Sequence, residues 1–223
     1  MGWIFRYLTS SIGRKQIMAL SGLFLLLFLV GHLGGNFLFF LGEQTFNEYS
    51  HALTSNPLII PIELGLLAVF LLHIVLAIWV SMDNKLARKD AYAHPLCESK
   101  QGFSSSTMLI TGVAMLIFVI VHVWGIKFGP KYFAVSSNGE YIRDLYKLVV
   151  EYFKSGGIFA FYSASMLILG IHLSHAFWSA CQTLGLNHKK YTLLLKGLSI
   201  LLAVSLAAGF FIVIVAANRT KVG

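Results

Sequence analysis

The stretch GIHLSHAFW, from Gly170 to Trp178, places two histidines inside an apolar run that is long enough to lie within a membrane. Of the 223 residues, 57% are hydrophobic and 12% are charged, whereas a soluble domain is about half apolar and about a quarter charged. The composition therefore predicts an integral membrane protein. Ionisable side chains are costly in lipid and usually functional, so the histidines are the first guide to function.

Five segments are apolar over about 20 residues, the length that a helix needs to cross a bilayer. The predicted spans are residues 16–41, 58–82, 107–128, 157–181 and 191–217. With four prolines and no persuasive short internal repeat, the chain is expected to form one domain over residues 1–223. The predicted fold is an all-α, membrane-embedded bundle of five transmembrane helices.

The net charge of +8 comes from basic residues that flank the apolar runs, so it predicts membrane orientation and not nucleic-acid binding. With a cytoplasmic N-terminus, ten Lys and Arg residues lie inside and seven outside, and residues 42–57 carry none. This bias favours that orientation. Cys97 and Cys181 have no metal-binding or c-type haem spacing, which predicts free thiols in a reducing compartment.

One histidine recurs at matched depth in each of the first four spans. His32, His73, His122 and His172 lie 15 or 16 residues after the predicted span starts, which is about 22–24 Å along each axis. Because successive spans run in opposite directions, depth pairs the first residue with the third and the second with the fourth. Two facing imidazoles suit the two axial positions of a haem iron, so the pattern predicts two b-type haems enclosed by the bundle.

Other interpretations of these residues stay open. A single histidine in a membrane helix often only hydrogen-bonds at a helix contact. Small residues near the histidines would let a haem approach the backbone, but they also serve helix packing. These are Gly31, Gly34, Gly35, Gly125 and Gly170. His172 and His175 are three residues apart and cannot both be axial to one iron, so one of them would ligate and the other would lie nearby.

Two stretches resemble a known family, SGLFLLLFLVGH (Ser21 to His32) in the first span and HLSHAFWSACQTLGLNHKKY (His172 to Tyr191) leaving the fourth. With one histidine in each of the first four spans, the chain resembles the five-helix, di-haem cytochrome b anchor of succinate dehydrogenase and fumarate reductase. The resemblance covers nearly the whole chain.

The resemblance implies which histidines bind which haem. His32 and His122 would ligate the distal haem near the outer face. His73 and His172 would ligate the proximal haem, with His175 as the second choice or a neighbour of the ligand.

The same resemblance implies the partners and the location. The chain would carry electrons between membrane quinone, of the menaquinone type, and an iron–sulfur subunit and a flavoprotein subunit on the cytoplasmic face of a bacterial inner membrane. It has no flavin or dicarboxylate site of its own, and the partners would dock on the loops 83–106 and 185–190.

Quinone chemistry moves protons as well as electrons, and Glu63 is the acidic residue clearly inside a predicted span. The hypothesis is therefore a quinone site bounded by Glu63, Glu48 and His51. The alternative is that the Glu63 side chain only extends to the membrane–water interface. The glutamate of the family's quinone site has a different spacing from the second-span histidine. By depth, the candidate donors to haem propionates are Ser21, Arg14, Lys15, Lys85 and Lys189.

Two competing functions remain. The first is a cytochrome b anchor of another respiratory complex, although such proteins often carry two ligands more than about ten residues apart on one helix. The second is a proton- or metal-conducting transporter, which predicts carboxylates within the bundle and broken helices.

Overall fold

The computed structural model describes residues 2–86, 102–186 and 188–221, with the backbone alone for residues 102–106. Eight α-helices and one two-stranded antiparallel hairpin are present in these ranges. The helices are α1 (Trp3–Thr9), α2 (Ser11–Phe37), α3 (Glu43–Thr54), α4 (Ile59–Leu86), α5 (Gly102–Lys127), α6 (Leu145–Lys154), α7 (Gly156–Thr183) and α8 (Thr192–Arg219). The strands are β1 (Phe133–Val135) and β2 (Tyr141–Arg143).

Five of the helices are long and apolar enough to cross a membrane, which confirms the predicted number of spans. They are α2 with the 3-10 turn that extends it to Leu41, α4, α5 from Thr107, α7 and α8. The first span begins earlier than predicted because Ser10 caps α2, where its side chain accepts a hydrogen bond from the Gly13 amide at 3.0 Å. The chain is therefore a multi-pass, predominantly helical membrane protein.

The outward surfaces of these helices are apolar, as a lipid environment requires. Large side chains on α4 and α5 are exposed, among them Leu67, Leu71, Ile117 and Ile120. Burial is deeper where α7 packs along α8, and Ser199 of α8 is 1% exposed there. Its hydroxyl donates to the Ser174 carbonyl at 2.8 Å, which joins the two helices by a polar contact inside the membrane region.

A small extramembrane unit covers the end of the bundle at which α2 and α5 finish and α4 and α7 begin. We call this unit the cap; it consists of α3, the hairpin and α6. The positive φ of Gly42, +100°, lets the chain turn from the first span into α3. These elements were not expected from the sequence, because they are too short and too mixed in polarity to give a hydropathy signal.

The cap is organised around one buried amide. Asn47 of α3 is 1% exposed, donates to the Asp144 carboxylate at 2.9 Å and accepts from the Tyr146 amide at 2.8 Å. The same carboxylate accepts from the Lys147 amide at 2.9 Å and so caps α6. These bonds fix α3 against the start of α6 although the two segments lie far apart in the sequence.

Candidate functional site

Four of the spanning helices form a four-sided ring. α2 packs against α4 and α7, and α5 also packs against α4 and α7. In the described part of the chain, α2 and α5 are not a closely packed pair, nor are α4 and α7, so each of these pairs lies across a diagonal. α8 lies outside the ring against α7 and α2. The four histidine-bearing helices therefore surround a common interior.

His32 and His122 meet across one diagonal, on the side nearer the cap. We call them the cap-side pair. Their ring centroids are 5.9 Å apart and their planes are 85° apart. An imidazole nitrogen binds a first-row metal ion at about 2 Å, so two imidazoles on opposite sides of one ion have centroids roughly 6 Å apart. The observed separation matches that of two axial ligands.

Aromatic side chains hold the cap-side pair in place. Phe28 stacks on His32 with centroids 5.4 Å apart, and Phe118 stacks on His122 at 5.6 Å. Nδ1 of His122 lies 3.4 Å from the Tyr162 hydroxyl, which leaves Nε2 of that ring for another partner. The ring of His32 has no hydrogen bond within the described residues.

His73 and His172 belong to the other diagonal and lie further from the cap. We call them the far pair. Nδ1 of His73 is 3.1 Å from the Ser21 hydroxyl oxygen, and Nδ1 of His172 is 3.1 Å from that of Thr111. Both rings are therefore held through Nδ1 by a neighbouring helix, and both leave Nε2 for another partner.

The two pairs occupy different levels of the bundle. The hydroxyl of Ser21, which contacts the far pair, precedes His32 by 11 residues on α2, and Thr111 precedes His122 by the same number on α5. At 1.5 Å per residue the levels are about 16 Å apart along the axes. The spacing between the two histidine pairs is about half of a hydrocarbon core, which is about 30 Å thick.

The structure also separates His172 from its neighbour. His172 has the Thr111 hydroxyl as a partner, whereas no hydrogen bond of the His175 ring is found among the described residues. A polar contact from an adjacent helix is typical of a histidine that binds a metal through its other nitrogen. This difference favours His172 as the member of the far pair.

One buried arginine nitrogen at each end of the bundle lacks a partner in the described part of the chain. Arg14 pairs with Asp83 at 2.9 Å and lies over the Trp79 ring at 4.4 Å, but its Nε is buried and unpaired. Arg143 donates to the Ile126 carbonyl at 2.8 Å, and its Nε is unpaired as well. Burial lowers the pKa of the Arg143 guanidinium. A buried, unpaired guanidinium nitrogen of this kind is a suitable hydrogen-bond donor to an anionic group.

The residues expected to bound a quinone site have separate partners. Glu63 forms an ion pair with Lys127 at the cap end of α4 and α5, with both side chains partly exposed. Glu48 accepts from the Ser137 amide at 2.8 Å, and His51 lies 3.9 Å from a Glu140 oxygen. No hydrogen bond or ion pair joins Glu63 to the other two within the described ranges, so the contacts do not unite the three residues in one site.

Most of the glycines near the histidines serve helix packing. A Cβ on Gly35 would meet the Tyr49 ring at 2.9 Å, one on Gly125 would overlap the Tyr152 hydroxyl, and one on Gly170 would meet Ala207 at 3.3 Å. Nothing lies within 4 Å of such an atom on Gly31 or Gly34. The packing interpretation therefore accounts for three of the five glycines.

The glycines that do face histidines were missed by sequence reasoning. A Cβ on Gly22 would lie 3.1 Å from Cε1 of His73, and one on Gly112 would lie 3.7 Å from Cε1 of His172. Thr111 and Tyr162 were missed as well, although they hydrogen-bond to histidines. The available signal was that Ser21–Gly22 and Thr111–Gly112 both precede a histidine by the same spacing.

Parts of the surfaces expected to dock partners lie outside the described part of the chain, namely residues 87–101, which include Cys97, and residue 187.

Comparison of the chain with protein-family models, with curated proteins and with solved structures finds no match.

Proposed function

We propose that the chain is a di-haem membrane cytochrome b that carries electrons through two bis-histidine haems. The observation that carries the proposal is the arrangement of four histidines as two pairs across the diagonals of one helix ring, with the cap-side rings 5.9 Å apart. His32 and His122 would hold the distal haem, and His73 and His172 the proximal haem. Bound haem iron supplies one-electron transfer.

The polar groups around the histidines fit this assignment. Three of the four rings are held through Nδ1 by a hydroxyl group, which is the contact that a metal-binding imidazole normally makes through its second nitrogen. The buried, unpaired Nε atoms of Arg14 and Arg143 would donate to the propionate carboxylates. Arg14 precedes Ser21 by seven residues, or two turns, and so lies on the same face of α2 as the hydroxyl residue that contacts the far pair.

The resemblance extends the proposal to a particular complex. In it, this chain anchors succinate dehydrogenase or fumarate reductase, and it connects an iron–sulfur subunit and a flavoprotein subunit with membrane quinone, of the menaquinone type. The N-terminus lies in the cytoplasm of a bacterium, so the cap lies outside. The partners dock at the opposite end of the bundle, where Asp83, Lys85 and the described residues 185–186 and 188–190 lie.

In this orientation Glu63 lies near the distal haem and the outer face, at the depth where a quinone would exchange protons. Its carboxylate is paired with the Lys127 ammonium group, which supplies a hydrogen-bond donor beside it. Glu63 would take up or release the quinone proton through this polar contact at the membrane boundary.

The transporter alternative calls for carboxylates along the interior of the bundle. In the described residues, the acidic side chains of the spanning helices are Glu63 and Asp83, and both are in ion pairs at helix ends. The di-haem proposal uses the interior histidines directly and therefore accounts for more of the site.

An optical spectrum of the purified full chain tests the proposal. Dithionite-minus-oxidised difference spectra should show the bands of low-spin haem b. In membranes that contain the whole complex, succinate should reduce a part of this haem, and an inhibitor of the dicarboxylate site should prevent that reduction. A chain without haem would contradict the cytochrome proposal. Haem that succinate never reduces and that fumarate never oxidises would leave a cytochrome of another respiratory complex.

A further inference from the structure

The first and third spans contain a short repeat with the pattern [Ser/Thr]-Gly-x5-Phe-x3-His. It reads SGLFLLLFLVGH at residues 21–32 and TGVAMLIFVIVH at residues 111–122. No short repeat was expected from the sequence, because the residues between the four shared positions are apolar in both copies and resemble the rest of the spans. In the structure, the hydroxyl, glycine and phenylalanine positions make matching contacts in both copies, and these contacts reveal the repeat.

The first position supplies a hydroxyl to the histidine of an adjacent helix. The Ser21 hydroxyl donates to the Met18 carbonyl at 2.9 Å, and that of Thr111 donates to the Thr107 carbonyl at 2.9 Å. A hydroxyl has one proton and two acceptor positions. With that proton directed to its own helix, each oxygen presents a lone pair to the Nδ1 atom 3.1 Å away. The facing imidazole must then donate through Nδ1–H.

The other shared positions support the same geometry. The glycine that follows the hydroxyl residue leaves space for Cε1 of the held ring, at 3.1 Å for Gly22 and 3.7 Å for Gly112. The phenylalanine stacks on the histidine of its own repeat. Eleven residues are close to three full turns, so the hydroxyl and the histidine of one repeat lie on one face at the two levels.

We propose that Ser21 and Thr111 are positioning residues that fix the tautomer and the ring orientation of His73 and His172, so that Nε2 of each ring would be available to one shared metal ion. Each repeat thus gives one ligand to the cap-side centre and one supporting hydroxyl to the far centre. This inference rests on the proposed function, because it takes haem iron as the group between the rings.

The test uses the purified full chain with Ser21→Ala and Thr111→Val, which remove the hydroxyls. Ser165→Ala is the matched control, since Ser165 is 6% exposed and its hydroxyl bonds the Phe161 carbonyl at 2.8 Å without touching a histidine. Ser21→Thr and Thr111→Ser keep a hydroxyl and serve as rescue variants. The measurements are haem per chain, the rate of haem transfer to excess apomyoglobin, and a spectroelectrochemical titration.

Loss of a hydrogen bond to a metal-binding histidine weakens metal binding about 10–100-fold. Each hydroxyl-free variant should therefore lose one of two haems faster, by about that factor, and the other haem should be unaffected. The bond also raises the basicity of the ligand, which favours ferric iron. Both variants should therefore raise the midpoint potential of the same redox component. A tenfold loss of haem affinity that is confined to the ferric form corresponds to a rise of about 59 mV in the midpoint potential.

The outcomes separate the two claims. A two-haem wild type whose Ser21→Ala and Thr111→Val forms match Ser165→Ala would overturn the positioning role alone. Shifts in different redox components would also overturn it, because both residues are assigned to one centre. A wild type without haem would overturn the proposed function and this inference with it. If one variant does not fold, the other decides, since the two residues act on opposite ligands of one centre.

Discussion

Replacement of Asn47 by alanine should loosen the cap from the bundle. The Asn47 side chain is 1% exposed, and Asp144, to which it donates, is 4% exposed. Its carbonyl oxygen is the acceptor for the Tyr146 amide at 2.8 Å. Alanine removes both contacts at once, leaving the Tyr146 amide N–H without its acceptor and Oδ1 of Asp144 without one of its two donors.

The expected loss follows from these two contacts. A buried donor left without an acceptor costs about 1–3 kcal/mol, and a hydrogen bond to a charged group contributes about 1.5–3 kcal/mol. Asp144 keeps its bond from the Lys147 amide, so part of its stabilisation remains. The free energy of unfolding should fall by about 2–4 kcal/mol, a large share of the roughly 5–15 kcal/mol of a typical native protein.

Hydrogen exchange of the α6 amides in the detergent-solubilised chain measures this loss. Gln44→Ala is the control on the same helix, because Gln44 is exposed and bonds Glu48 at 3.2 Å, a contact worth about 0.2–0.5 kcal/mol. Asn47→Asp should be worse than alanine at neutral pH, since it places two carboxylates side by side, and should recover as acid protonates one of them. An Asn47→Ala variant with α6 exchange equal to that of Gln44→Ala would refute the reasoning.

Two further predictions concern the far pair and the hairpin. Gly22→Ala should push the His73 ring, which a Cβ would meet at 3.1 Å, and should therefore weaken haem retention. Gly112→Ala leaves 3.7 Å to the nearest ring atom, so this variant should retain both haems and gain about 1 kcal/mol of helix stability. Equal rates of haem loss from the two variants would contradict this prediction. Hydrogen bonds from Ser137 lower the pKa of the Glu48 carboxyl, so their stabilisation is present above the ordinary carboxyl pKa and is lost as the pH falls through the lowered value. Carbon-detected NMR titration should show that Ser137→Pro, which removes both the side-chain hydroxyl and the amide donor, returns this pKa toward the ordinary range, and an unchanged midpoint would exclude Ser137 as its cause.

The spans could be predicted because a bilayer imposes one length and one polarity on every helix that crosses it. The pairing of His32 with His122 followed from depth alone, since antiparallel spans bring residues at matched depth to alternate levels. Hydropathy gives no information on the cap, whose contact between Asn47 and Asp144 joins distant parts of the sequence. It depends on the way in which α3 and α6 meet at the bundle end.

The supporting hydroxyls could not be recognised by residue type. Ser and Thr in membrane helices commonly bond their own carbonyls, and both Ser21 and Thr111 do so. Their contact with a histidine depends on how adjacent helices are rotated about their axes, which a single sequence does not determine. For the same reason Gly35 and Gly125 looked like residues near a haem, although they pack against tyrosines.

The most direct test of the central claim is the haem content of the purified chain by pyridine haemochrome, for the wild type and for alanine variants of five histidines. The wild type should contain two haems b per chain. His32→Ala, His73→Ala, His122→Ala and His172→Ala should each lose or disturb one haem, and His175→Ala should retain both. A wild type without haem, or a chain in which His175→Ala loses a haem while His172→Ala does not, would contradict the proposed arrangement.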